Sequence, residues 1–319
     1  MIVYVLKRLF YVVLILAVMS MLIFWITQVL PGNVAYLILG DFAPLDQVRA
    51  LEEKLGLNDP IYIQYWRWAS GILKGELGNS MIMERPIAPM LFDAIGRSAV
   101  LAIFSMVLIT FLGISIGVLA AIYYNRRVDH IISVGTYIFI SIPEFFQSIV
   151  VIMLFAGYFG WLPATGYAPL SDGVWNWLSL IILPVSTLVS HMVAHVSRLT
   201  RSSMMETMQS QYVTAARAKG LAERLVIRHH ALRNALLPTI TILAIDVGYL
   251  MGGIVVVETV FSYPGLGRLL VYAINHADIP TIQAGILVVT AIYAVSNLCA
   301  DLLYAYLNPK IRYGKAVAQ

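Results

Sequence analysis

Six stretches of this chain stay apolar long enough to cross a bilayer: Leu9–Leu30, Ser98–Tyr124, Ile131–Phe159, Trp177–Ser197, Thr239–Val260 and Thr281–Tyr306. A span of hydrocarbon needs about 20 such residues in helical form. Inside lipid, each peptide N–H and C=O must be satisfied by the chain itself, so runs of this length are expected as helices. The fold class expected is an all-α polytopic membrane protein with six transmembrane helices in the lipid bilayer. Composition points the same way: 60% of the residues are hydrophobic and only 12% are charged, well outside the range of soluble domains. The single cysteine, Cys299, lies in an apolar run and leaves no internal disulfide to consider.

Lys7 and Arg8 precede the first run, which is too long for a signal-peptide core and is followed by no small-residue cleavage site. It is expected to be retained, with the N-terminus inside. The chain then divides into residues 1–97, a first span plus a polar outer segment, and a five-span core at 98–319. The outer segment reads as amphipathic helices at Pro44–Leu57 and Ile61–Leu73, parted by Asn58-Asp59-Pro60. Gly113, Gly117 and Ala121 in the second run, and Gly248, Gly252 and Gly253 in the fifth, are stripes suited to close helix packing. Pro143 interrupts the third run, where a kink is expected. A short outer helix is expected near Leu269–Asn275. Trp25, Trp161, Trp175 and Trp177 fall near run ends, as an interfacial belt requires.

Charge sets the orientation. Fourteen of the 21 Lys and Arg fall on the inferred inner segments, and the short outer loops carry only Arg268. The remaining six lie on the long outer segment, a length at which the positive-inside rule loses force. Both termini are therefore expected in the cytoplasm.

No phosphate-binding loop, H-E-x-x-H or G-x-S-x-G pattern occurs, so neither ATP binding by this chain nor enzyme activity is expected. His191 and His195 share a helix face, but no third ligand is evident and no metal site is expected. Asp246 lies well inside the fifth run. A carboxylate there costs about 3 kcal/mol or more in lipid and must face water or the bundle interior. Two readings stand: a wall of the substrate path that attracts a cationic end, or a hydrogen-bond partner to another span. Glu144, beside the kink, is the second intramembrane acid on a possible path. Glu258 and Asp301 are near run ends and are expected at the interface.

The most basic stretch runs from Tyr212 to Pro238; with its lead-in it carries Arg198, Arg201, Arg217, Lys219, Arg224, Arg228 and Arg233. It reads as two short helices within a cytoplasmic loop at 198–237. The first is Tyr212–Lys219, ended by Gly220 as a left-handed cap. The second starts near Ala222, with Leu221, Leu225, Leu232 and Leu236 roughly on one face. Pro238 is expected to bend the chain before the fifth span.

Thr214-Ala215-Ala216 followed by Gly220 resembles the Glu-Ala-Ala, three residues, Gly motif in the coupling loop of bacterial ABC importer permeases, with threonine in place of the glutamate. The wording YVxxARAKGL and HALRNALLP resembles the oligopeptide/dipeptide branch, as do LPGN, LGLNDP, QYWRW, GELGNS, ISIPEFF, GWLPATGY, ETVFSYPGLG and LNPKIRYG, in the family's order. The resemblance implies a type I ABC importer permease fold in the bacterial inner membrane. It implies that Tyr212, Thr214, Ala215, Ala216, Ala218, Lys219 and Gly220 dock into a cytoplasmic ATPase subunit. It also implies two such ATPases, which hold ATP and Mg, a second homologous permease forming a heterodimer, and an extracytoplasmic substrate-binding protein. No cofactor of its own and no nucleic acid are implied. The substrates implied are di- and oligopeptides, with nickel, glutathione or an oligosaccharide as alternatives in the same class. Family members often carry an uncharged polar residue where Asp246 stands, so its role is not carried over. The competing class, an ATP-independent secondary transporter, calls for mid-membrane coupling acids and an inverted repeat. Only Asp246 answers strongly to the first, and no repeat is evident.

Cysteines placed at Asn79 and at Gly314 should label from opposite faces of intact cells, Asn79 from outside. Labelling of both from one side would mean an odd number of spans.

Overall fold

The computed structural model describes residues 2–29, 36, 42–56 and 58–307. The LPGN phrase, Leu57 and all of LNPKIRYG beyond Leu307 lie outside them. The described elements are helical apart from one isolated bridge, Asn79 to Pro86. In chain order they are α1 (Ile2–Val29), α2 (Leu45–Leu55), α3 (Ile61–Leu73), α4 (Ile87–Ile122), α5 (Arg127–Ser141) and α6 (Glu144–Val151). Then come α7 (Val174–Met208), α8 (Gln211–Ala218), α9 (Glu223–Val260), α10 (Leu266–Asn275) and α11 (Ile279–Leu307). Helices α1, α4, α7, α9 and α11 are each long and apolar enough to cross a membrane.

The α5–α6 pair makes the sixth crossing, and here the expected kink is a break: the two axes meet at 104°. Pro143 brings no N–H, and the residue before it, Ile142, is extended at φ −92°, ψ 124°. Gln147 answers the carbonyls freed by the break, donating from Nε2 to Phe139 O at 2.7 Å and Ile142 O at 2.9 Å. Its Oε1 accepts from Ser190 of α7 at 2.5 Å. Helix α6 continues as π-helical turns over Ile152–Tyr158. The loop beyond returns to the far end of α9, where Gly166 N–H donates to Phe261 O at 3.1 Å. The broken pair therefore crosses rather than turning back.

The helices outrun the apolar stretches. Helix α4 begins at Ile87, eleven residues before the expected Ser98, because Pro86 sets up its first turn. Pro238, where a bend is expected, does not interrupt the helix; α9 runs through it, its first turns including a π-helical stretch at Val226–Ala231. Helices α1 and α11 are pinned at both ends. Gln283 Nε2 donates to Thr27 Oγ1 at 2.7 Å, and Arg8 pairs with Asp301 at 2.5 Å. The two helices are thus antiparallel, with the start of α1 and the end of α11 on the same side.

Glu258 is not interfacial as expected. It is fully buried, accepting from Ser98 Oγ at 2.5 Å, Gly267 N–H at 2.7 Å and Arg268 N–H at 3.2 Å. One carboxylate thus caps the start of α10 and ties it to α4 and α9. Asp278 does similar work nearby, accepting from Ser80 Oγ, Met81 N–H and Thr281 Oγ1, and so anchors the outer segment to the start of α11.

The main core lies between α4, α7 and α9, around Leu101, Ile109, Leu188, Val196, Leu250 and Ile254. At its centre α4 presses on α7. A Cβ on Gly113 would meet Val196 Cγ1 at 2.7 Å, and one on Gly117 would meet Ser197 O at 2.5 Å and Thr200 Cβ at 2.6 Å. Gly117→Ala should therefore lower the melting temperature of the detergent-solubilised protein, at a cost of about 1–3 kcal/mol for an overpacked site. Gly135→Ala, where a Cβ meets nothing within 4 Å, should leave it unchanged or slightly raised. Equal melting temperatures for both would mean that the crossing is looser than described.

Candidate functional site

The cytoplasmic loop forms where α7 ends. Gln209 and Ser210 turn the chain, and α8 opens with Ser210 extended at φ −68°, ψ 151°. Eight residues later Lys219 leaves the helix and Gly220 takes φ +77°, the left-handed conformation expected from its glycine. No atom lies within 4 Å of a Cβ built there, so conformation rather than space calls for glycine at this position.

Helix α8 has two faces. Val213 and Ala216 are buried, packed with Ala121 of α4, Met204 of α7 and Val226, Ala231 and Ala235 of α9. Tyr212, Thr214, Ala215, Ala218, Lys219 and Gly220 are exposed. The resemblance groups Ala216 with these as a docking residue. It is kept small by its own chain instead, and only its neighbours face outward. Thr214, at the motif's glutamate position, points to solvent and donates from Oγ1 to Ser210 O at 3.2 Å.

Polar straps fix this helix to the spans. Arg217 pairs with Glu223 at the head of α9, at 2.7 and 3.0 Å, and donates to Met208 O at the end of α7 at 3.3 Å. Asn234 Nδ2 donates to Tyr212 OH at 3.0 Å. An exposed ion pair is worth little alone, but here it closes a tight turn over a buried apolar cluster.

Within the membrane one path candidate lies on α9 and the other packs against it, at a different height. Asp246 is 1% exposed, and its Oδ1 lies 3.4 Å from His195 Nδ1 on α7. Its Oδ2 is buried with no hydrogen-bond partner among the described residues. Glu144 starts α6, half-buried against Gly253, seven residues further along α9; a Cβ on Gly253 would meet its Oε2 at 2.6 Å. The two carboxylates are thus about 10 Å apart along the helix axis by rise alone and do not form one site. His191 is separate from this pair, with its Nδ1 buried and unpartnered among the described residues.

One strong pair was not read from sequence. Asp129, 2% exposed at the start of α5, takes a bidentate grip from Arg201 of α7, at 2.6 Å from Nε and 2.8 Å from Nη2. Asn125, at φ +57°, adds its N–H at 3.0 Å. Asp129 lies two residues beyond the basic turn at Arg126-Arg127, but no spacing rule links it to a residue 72 positions away.

Comparison with known proteins agrees along the whole length. The family model for binding-protein-dependent transport system inner membrane components matches residues 113–313, and the model of that family's N-terminal region matches residues 1–112. A probable peptide ABC transporter permease from Sinorhizobium fredii is 37% identical over 98% of this chain and 99% of its own length. A dipeptide transport system permease from Alkalihalophilus pseudofirmus is 35% identical over 98% of this chain and all of its own. A glutathione transport system permease from Escherichia coli K12 is 38% identical over 97% and 99%. Among solved structures, an amino acid ABC transporter with histidines superposes with a TM-score of 0.54 at 14% identity, covering 68% of this chain and 94% of that one. At that identity the likeness is one of fold.

Tryptophan scanning of α8 should separate its faces. Ala216→Trp should lower the chain's own stability and insertion yield, since overpacking a filled site costs about 1–3 kcal/mol. Ala215→Trp should leave both at wild-type level. Equal yields and melting temperatures for the two would contradict the burial of Ala216.

Proposed function

The chain belongs to the family of binding-protein-dependent inner-membrane transport components, and on that footing we propose that it forms half of the path through which an ATP-driven importer carries di- or oligopeptides into the cell. It is a permease subunit of an ABC importer and a multi-pass protein of the inner membrane. Peptides are favoured as cargo because the peptide and dipeptide relatives align end to end with it. Glutathione, itself a small peptide, is the second reading, favoured by a relative of equal similarity. The ATP-independent class has no support from these relatives.

The observation that carries the mechanism is the two-faced α8. Its inward face is packed into the span core, and its outward face presents the short side chains of Thr214, Ala215 and Ala218, with Arg217 beside them drawn onto Glu223. Short side chains allow a second backbone to approach closely, as a cleft on a cytoplasmic ATPase requires. The complex consists of this chain, a second homologous permease, two ATPase subunits that hold ATP and Mg, and an extracytoplasmic binding protein. ATP-driven closure of the ATPases displaces α8, and the straps from Arg217 and Asn234 carry that displacement to α7 and α9. Reorientation of the spans then opens the path to one side at a time. Glu144 and Asp246 belong to the wall of that path. Asp246 acts through His195, because its own carboxylate is covered.

A cysteine at Ala215 should crosslink to an ATPase subunit in the assembled importer, with a yield that changes between nucleotide-free and ATP-bound states. Gly220→Val should insert normally yet lose substrate-stimulated ATP hydrolysis, since valine resists the positive φ that aims α8. Wild-type transport by Gly220→Val, with no crosslink in any nucleotide state, would reduce the loop to a connector.

A further inference from the structure

Between α5 and α7, in the cytoplasmic half of the spans, lies an open pocket of about 330 Å³. Its polar lining is Ser133 and Tyr137 from α5 and His195, Arg198, Arg201 and Ser202 from α7. The spacing makes the cleft: residues 133 and 137 are one turn apart, and 195, 198 and 202 follow one face of α7. The charges are sorted by depth. Both carboxylates near the pocket, Asp129 and Asp246, are buried behind it, 2% and 1% exposed. Arg201 is committed to Asp129, and His195 has its Nδ1 on Asp246. Arg198 has no ion pair among the described residues; its guanidinium lies over the Tyr137 ring, 5.3 Å from the centroid. The remaining ring nitrogen of His195 and the hydroxyls of Tyr137 and Ser202 make no hydrogen bond within the described chain. The nearest exposed acid on the same face of α7, Glu206, is a turn beyond Ser202 and outside the lining.

The free surface of the pocket therefore offers hydrogen-bond donors and one uncompensated positive charge, with negative charge withheld from it. We propose that this pocket is an oxyanion site that takes the terminal carboxylate of the substrate as it passes toward the cytoplasm. Arg198 is the primary ligand, held in place by its stacking on Tyr137. His195 is the second, kept in orientation by Asp246, so that Asp246 positions a donor rather than attracting a cation. The identity of the carboxylate rests on the peptide reading above. The same donors would suit the phosphate of an anionic lipid, and the test separates the two sources.

The assembled importer carrying Cys299→Ser and Ser202→Cys is placed in phosphatidylcholine nanodiscs, and the rate at which a charged maleimide labels residue 202 is followed. Trialanine should slow labelling, and trialanine amide, which lacks the carboxylate, should not. Arg198→Gln should raise the half-protecting concentration of trialanine about tenfold, the weight of one charge-assisted hydrogen bond. Adding phosphatidylglycerol should leave the trialanine effect in place. If phosphatidylglycerol slows labelling and trialanine does not, the anion is a lipid headgroup and the substrate assignment is overturned. If neither slows it, or if the half-protecting concentration of trialanine is unchanged by Arg198→Gln or equalled by the amide, there is no oxyanion site. ATP-driven uptake of trialanine into proteoliposomes is measured in parallel. Protection without uptake would leave the pocket standing and overturn the peptide-import reading; uptake without protection would do the reverse.

Discussion

The close approach of α4 and α7 is the contact on which the rest of the bundle depends. Lipid gives helices no hydrophobic reason to associate, so packing and polar pins must hold them. Gly113 and Gly117 remove the side chains that would part these two backbones, and Val196, Ser197 and Thr200 fill the space. Helix α7 is then fixed as a central post and gives a polar side chain to its neighbours at successive depths. Ser190 reaches Gln147 of α6, His195 reaches Asp246 of α9, Thr200 reaches Thr239 of α9, and Arg201 reaches Asp129 of α5. Pins of this kind contribute about 0.6–2 kcal/mol each within a bilayer, enough in sum to set register once the backbones are close.

Much of this was legible in the sequence because lipid leaves few options. Apolar length alone located every span. The stripe at Gly113 and Gly117 identified the packing face correctly, and Gly220 announced its left-handed cap. What failed were inferences from a single residue about its surroundings. Pro143 and Pro238 look alike in sequence, yet one marks a 104° break and the other lies within a continuous helix. At the break Gln147 satisfies the freed carbonyls. Glu258 looks interfacial by position but is covered by α4 and by α10, the second of which the chain reaches only after turning at Ser262 and Pro264. The Asp129–Arg201 pair joins residues from different spans, and composition carries no record of such meetings.

The proposed coupling site was legible to a similar degree. The motif located α8 and its cap, but not which residues face inward. Ala215 and Ala216 are chemically identical, and only the position of α9 behind the loop decides that Ala216 belongs to the core. Asp246 was marked as a costly residue, correctly, but the imidazole that covers it comes from a span fifty residues earlier.

Because α9 passes through Pro238 without a break, a single helix of 38 residues joins the cytoplasmic loop to the outer face. At 1.5 Å per residue it is about 57 Å long. A rod of that length is a lever: a tilt of about 5° about its inner end would sweep its outer end through roughly 5 Å. Its inner end is strapped to α8 by Arg217, and its outer end holds α10 through the buried Glu258. Mechanical work done on one side of the membrane can thus arrive on the other as displacement of a helix, with the bilayer crossed by a solid strut rather than by a chain of separate contacts. The compliant parts of the lever, the π-helical turns at Val226–Ala231 and the proline at 238, both lie in its cytoplasmic half, so the outer half swings as one piece.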